Sequence, residues 1–392
     1  MLEEILAPVP SSLVESHREE GSDRIGSWIE VHDELAGMPD WEEAHLCILG
    51  VCEDRGRVGA AEQAMAIDSI RRELYDLYPG DWPFRVVDLG TLYAGEQRED
   101  TYAALKEILV ELFKFKVLPL VIGGSQDLTY AMYRAYDLPD QTVNIAAVDS
   151  RFDLGRQSEM PLNEFNYLSH IILKKPYRLF NFASLGYQTC FIHQEEKTLM
   201  EKMHFDLIRL GRLRADVALC EPYLRDSDLV SMDLSSVKAS GGVKVAHPGP
   251  NGFSEDEICS LSRYSGISDK VSSFGLFGMA CSEGSKNRIT PMLAAQVLWY
   301  FMEGYAARTG EYPASKIRSY GRFSVLMNDG EQELIFYKSP VSGRWWMEVP
   351  VQARPDGRSA MEVLVPCTQE DYDKACADEI PDRWWGAYRK GL

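Results

Sequence analysis

Three short segments place acids beside turn residues at the ends of apolar runs: GGSQDL at 123–128, VDSRFD at 148–153 and SMDLSSV at 231–237. Asp149, Asp153 and Asp233 are hard oxygen donors, a ligand type that suits hard divalent cations. The residues beside them point elsewhere. Arg151 stands between two of the acids, and a guanidinium keeps its proton and offers no lone pair, so it cannot ligate and would repel a cation. Its planar fork is suited to carboxylates. Gln126 and Ser235 complete the polar set. Other chemistries lack their loops: no GxSxG, P-loop or GxGxxG follows a strand-like run, which argues against a serine hydrolase, a nucleotidase and a dehydrogenase. GSQDLT at a helix start could hold an anion, although helix capping by Ser125 or Asp127 is the simpler account.

The elements that must carry these residues are legible as an alternation. Apolar runs at 45–51, 84–89, 117–124, 142–149, 178–186, 205–211, 228–234 and 271–279 are each followed by a polar turn, and most then by a helix-periodic stretch. Their hydrophobicity is continuous, as strands buried on both faces require. The pattern predicts a three-layer α/β fold around a mostly parallel sheet of about eight strands. Ligands of such sheets bind beyond the C-terminal strand ends, where the three acidic segments fall.

The order, spacing and placement of those segments resemble the three metal-binding motifs of the ureohydrolase superfamily (arginase, agmatinase, formimidoylglutamase), whose patterns are GGDHS, DAHxD and SxDxD. The resemblance extends to RGRVGAAEQA, LGYQ at 185–188, PGPNGFS at 248–254 and the helix start at Thr290, and spans roughly residues 40–308. The runs GYQTCFI and IGGSQDLTYA bring it nearest to formimidoylglutamase-like sequences. The resemblance implies an arginase-like fold and, in active members, two Mn²⁺ ions whose bridging hydroxide attacks a guanidinium or formimino carbon. Half of the implied ligands are replaced. The family histidines stand as Gln126 and Arg151, the Asp preceding the first of them as Ser125, and the second acid of SxDxD as Ser235, while Asp149, Asp153 and Asp233 are kept. The acid expected after the last strand falls at Gly278. We therefore expect no metal. One reading inserts Arg151 among the three aspartates as the substitute positive charge; the other turns it to solvent and leaves Asp149, Asp153 and Asp233 to hold one metal, Mn²⁺ by resemblance. His170 lies on an apolar helical stripe and reads as a packed histidine, and His193 and His247 have no metal-like partner spacing.

The net charge of −19 argues against a nucleic-acid binder. It is uneven, with 12 acids and two bases in residues 1–43, which read as an acidic N-terminal arm with a solvated helical face. Residues 44–309 form the ureohydrolase-like domain. Residues 310–392 read as a small antiparallel β plus helix module in which Trp345, Trp346, Trp384 and Trp385 are expected chiefly to pack a core. The acidic start lacks the features of a signal peptide, residues 291–302 are too short an apolar stretch to span a bilayer, and eight cysteines without a CxxC pair read as reduced thiols. The expectation is a cytoplasmic protein, a degenerate ureohydrolase with a scaffold, ligand-sensing or partner-binding role toward an unknown small molecule or protein, and by resemblance a homo-oligomer. The alternative is an active formimidoylglutamase- or agmatinase-like hydrolase of linear amidines or guanidines with an altered metal site.

Overall fold

The computed structural model describes residues 2–17, 23–59, 67–137, 142–155, 160–280, 286–311, 317–328, 331–351 and 361–390. Nine strands build the central sheet: β1 (Glu30–Val31), β2 (Leu46–Cys52), β3 (Val86–Tyr93), β4 (Leu118–Ile122), β5 (Val143–Val148), β6 (Leu179–Tyr187), β7 (Asp206–Arg209), β8 (Leu229–Asp233) and β9 (Ser273–Phe277). All pairings are parallel, in the order β1-β3-β2-β4-β9-β8-β5-β6-β7. Successive residues of a strand face opposite sides of the sheet, and here both sides are covered. Leu46, Ile48, Leu120, Ile122, Val148, Met232 and Leu276 belong to one core. Cys47, Leu49, Val51, Val121, Ile145, Ala147 and Phe277 belong to the other. This is why the strand runs are continuously apolar. The first core is closed by the helices Ile67–Tyr75, Glu255–Ile267 and Ile289–Ala306, the second by Arg98–Lys114, Leu128–Arg134 and Tyr167–Leu173.

Helix positions follow their caps. Gln97 and Asp100 form a capping box before Arg98–Lys114, and Ser254 and Glu257 do the same before Glu255–Ile267. The apolar stretch at 291–302 lies in a core helix, with Leu293, Val297, Leu298, Phe301 and Met302 buried. Among the described residues no helix is long and apolar enough to cross a membrane. The segment RGRVGAAEQA runs into residues 60–66, which lie outside the described set, and the helix that follows is described from Ile67 onward.

All eight expected strands are present. The ninth, β1, comes from the segment read as a solvated arm. It pairs with β3, Glu30 opposite Val87, while Leu2 and Leu6 enter one core and Val9, Leu13, Val14, Ile25 and Ile29 the other. Glu3, Glu4 and Glu15 face solvent. The density of acids concealed an amphipathic segment whose apolar residues close the sheet edge.

After the central sheet come β10 (Gly321–Met327), β11 (Gln332–Lys338), β12 (Trp345–Val351) and β13 (Met361–Cys367), an antiparallel meander, then the helices Gln369–Cys376 and Asp382–Lys390. Trp345 and Trp384 sit in its own core with Phe336 and Met347. Trp346 is buried between Tyr320 and Arg225, whose guanidinium lies 4.4 Å from its ring centroid. Trp385 is more exposed. Arg225 also donates to the Cys367 carbonyl at 3.1 Å, and Arg344 pairs with Glu221 at 3.3 Å. The described cysteines are free, and burial raises the thiol pKa of Cys47 and Cys52, the latter to about 11.

Candidate functional site

The sheet order brings the three acidic segments together. Strands β4, β9, β8 and β5 are consecutive neighbours, so Gln126, Gly278, Asp233 and Asp149 emerge at one edge of the same four strands although more than a hundred residues separate some of them in the chain. Gln126 is buried and donates from Nε2 to Ser231 Oγ at 3.2 Å, beside a 2.7 Å contact of Thr129 Oγ1 with that same hydroxyl. Asp149 accepts the Arg151 backbone N–H at 2.8 Å, and Asp233 accepts that of Ser235 at 2.6 Å. Asp153 occupies a left-handed backbone conformation, φ +53°, and is buried.

Three aspartates so placed do not behave as exposed carboxylates. Burial pushes Asp149 up to about 7, with the charge of Asp233 adding to it. Burial also drives Asp153 well above the usual range, reinforced by Asp149 and Asp233, and raises Asp233, near Glu164. A low-dielectric site resists several like charges, so the cluster retains protons. Asp127, just beyond Gln126, is raised by burial to about 6 and accepts a hydrogen bond from Tyr102.

Arg151 takes neither expected course in full. Its guanidinium lies 4.7 Å from the Phe191 ring centroid and 5.2 Å from that of Phe165, and no ion pair among the described residues joins it to Asp149, Asp153 or Asp233. Its positive field still lowers the pKa of Asp149 and Asp153. The aromatic pair supplies two faces for a flat cation, and Asp149 already holds a backbone donor. Arg151 therefore borders the acids from the side. It lines a cavity of about 340 Å³ together with Val58, Asp153, Met160, Phe165 and Phe191.

Sequence reasoning missed an adjoining pair. Glu164, 2% exposed, accepts from the Val58 backbone N–H and contacts His247 Nε2, both at 2.7 Å. His247 donates its backbone N–H to Ser235 Oγ at 3.3 Å and packs 4.8 Å from Phe165. The hydrogen bond with Glu164 raises the pKa of His247. Glu164 and His247 are 83 residues apart on loops, so no local spacing announces them. Arg57, from the loop after β2, is held by Asp54 through both carboxylate oxygens at 2.8 Å and donates to the Met279 carbonyl. His193 lines the cavity as a helix N-cap, while His170 is a buried helical residue contacting the Met160 carbonyl, its pKa lowered by burial.

A dinuclear manganese centre does not fit these donors. Asp149, Asp153 and Asp233 are oxygen donors, but at the two positions where the sequence resemblance implies histidines stand an amide bonded to Ser231 and a guanidinium set over phenyl rings. Among the described residues no group of three or more His, Cys, Asp or Glu side chains is arranged to hold a metal ion.

A three-layer, all-parallel sheet carrying acids at the C-terminal ends of β4, β5 and β8 defines an α/β protein of the arginase type. The chain belongs to the arginase family, whose family model matches residues 44–303. A formimidoylglutamase of Geobacillus thermodenitrificans is 24% identical over 263 residues, covering 64% of this chain and 81% of that protein. One of Hahella chejuensis is 31% identical over 119 residues, 29% of this chain and 36% of that protein. Among solved structures, Trypanosoma cruzi formiminoglutamase with Mn²⁺ superimposes with TM-score 0.62 at 20% identity, over 68% of this chain and 95% of that one. Formimidoylglutamase from Bacillus subtilis gives 0.63 at 16% identity, over 74% and 96%. The four-stranded sheet at the C-terminal end lies beyond the matched residues.

Proposed function

We propose that this member of the arginase family has given up dinuclear hydrolysis and uses the strand-end pocket of Gln126, Asp149, Arg151, Asp153, Asp233 and Ser235 to bind a small molecule or a protein partner, as a sensor or scaffold. The observation that carries the reading is the placement of Arg151, a residue unable to ligate, over the rings of Phe165 and Phe191 at the position where the sequence resemblance puts a metal ligand. Gln126 supports it, because its amide nitrogen is committed to Ser231. The segment 1–43 acts in this reading as an edge clamp, 44–309 as the binding domain and 310–392 as an added module, in a cytoplasmic homo-oligomer.

A second reading is favoured by His247. An imidazole hydrogen-bonded to buried Glu164 next to three aspartates could serve a hydrolase of linear amidines or guanidines that keeps a reduced Mn²⁺ site on Asp149, Asp153 and Asp233. The test is product release from formiminoglutamate, agmatine and arginine, each with and without added Mn²⁺. The proposal expects formamide, urea and ammonia at the level of the protein-free control. Turnover that rises with Mn²⁺ and is lost in Asp233→Asn would establish the second reading.

A further inference from the structure

Arg151 is held in a manner that leaves its hydrogen-bonding edge for something else. The Phe191 and Phe165 rings flank the guanidinium, at 4.7 and 5.2 Å from their centroids, and no carboxylate among the described residues takes its N–H groups. Most acids around the cavity have other donors, while Asp153, driven toward its protonated form by burial, keeps Oδ2 without a partner among the described residues. Asp149 Oδ1 holds the Arg151 backbone N–H, and Asp233 Oδ1 that of Ser235. Glu164 Oε1 holds Val58 and His247, and Glu196 Oε2 holds the His193 N–H. The cavity, about 340 Å³, is rimmed by apolar side chains that remain partly open to solvent, Val58 at 40%, Met160 at 49% and Phe191 at 38%. Exposed apolar surface around a single oriented cation is the arrangement of a small-molecule pocket.

We infer that this cavity takes a small, flat organic monocarboxylate, its carboxylate paired with the Arg151 fork and its body laid against Phe165, Phe191 and Met160. A guanidinium is itself planar, and its fork matches a carboxylate in a two-point hydrogen bond. One cation balances one negative charge, and the Glu196 carboxylate on the same wall disfavours a dianion such as phosphate. This deepens the proposed function, on which it rests in assigning the pocket to an organic ligand in place of metal.

Titration calorimetry of the full chain with benzoate, benzamide and benzylamine tests it. Benzoate should bind about tenfold or more tightly than its neutral isostere benzamide, with benzylamine weakest. Arg151→Gln should erase the difference, while Arg151→Lys, which keeps the charge but loses the fork, retains part of it; thermal unfolding of each variant controls for folding. Equal affinity for benzoate and benzamide, absence of binding by all three, or a benzoate preference that survives Arg151→Gln overturns the inference. Metal analysis of the same preparations separates the two failures. Two manganese ions per chain would sink the non-hydrolytic reading whatever benzoate does, whereas a metal-free chain without carboxylate preference would sink only this inference.

Discussion

Gly278 and Asp233 are fitted to each other: a Cβ on Gly278 would lie 1.7 Å from Asp233 Oδ1. Gly278 also has φ +75°, in the left-handed region that L side chains avoid. The position at which the family resemblance places an acid is thus closed by the aspartate on the neighbouring strand. Gly278→Ala should destabilise the protein by more than the about 1–2 kcal/mol of the backbone conformation alone, because the Asp233 carboxylate must also move. Urea unfolding reads this directly, and an unchanged midpoint would contradict the fit.

The acid cluster makes a prediction about pH. Asp149 holds its proton up to about 7 in the folded chain, against an ordinary value of 3.8. Between those values the folded state binds more protons than the unfolded one, so stability falls as pH rises through the window. His247, raised by Glu164, acts in the same direction: its contribution is complete below 6.5 and is lost as pH rises through its folded pKa. Urea midpoints should decline from about pH 4 to about pH 8, and Asp149→Asn should flatten the lower part of the decline. A midpoint that rises over the same range would show that the cluster carries its full charge when folded.

A close helix crossing supports the site from behind. A Cβ on Gly304 would stand 2.2 Å from the Arg263 carbonyl oxygen, so the helices Glu255–Ile267 and Ile289–Ala306 approach through this glycine. Gly304→Ala should cost about 1–3 kcal/mol by forcing the helices apart. The thermal midpoint should fall without loss of helical circular dichroism; a midpoint equal to wild type would mean that the crossing has room.

The C-terminal module is held by Trp346 and Arg225. Trp346→Ala removes a fully buried ring and should cost about 3–5 kcal/mol. Limited proteolysis should then release fragments from the region after residue 310 sooner than in the wild type. Identical digestion kinetics would show that the remaining contacts, such as Arg344 with Glu221, suffice.

What could be read from the sequence was set by the range of the interactions concerned. The eight long strands follow from continuous Val, Ile and Leu runs, because burial on both faces leaves its mark residue by residue. Asp149, Asp153 and Asp233 were legible because each stands at the end of such a run. The direction of Arg151 was not, since the choice between the aspartates and an aromatic slot depends on Phe165 and Phe191, which come from other loops. Glu164 and His247 escaped for the same reason. In the first 43 residues the twelve acids masked the apolar positions that dock Val9, Leu13, Ile25 and Ile29.

The central claim is that this pocket has exchanged metal for an organic ligand. Its most direct test is the manganese content of the chain after purification with Mn²⁺ and removal of free metal. The account predicts far less than one ion per chain, and gain of Mn²⁺ binding in the triple variant Gln126→His, Arg151→His, Ser235→Asp. About two ions per wild-type chain would contradict it.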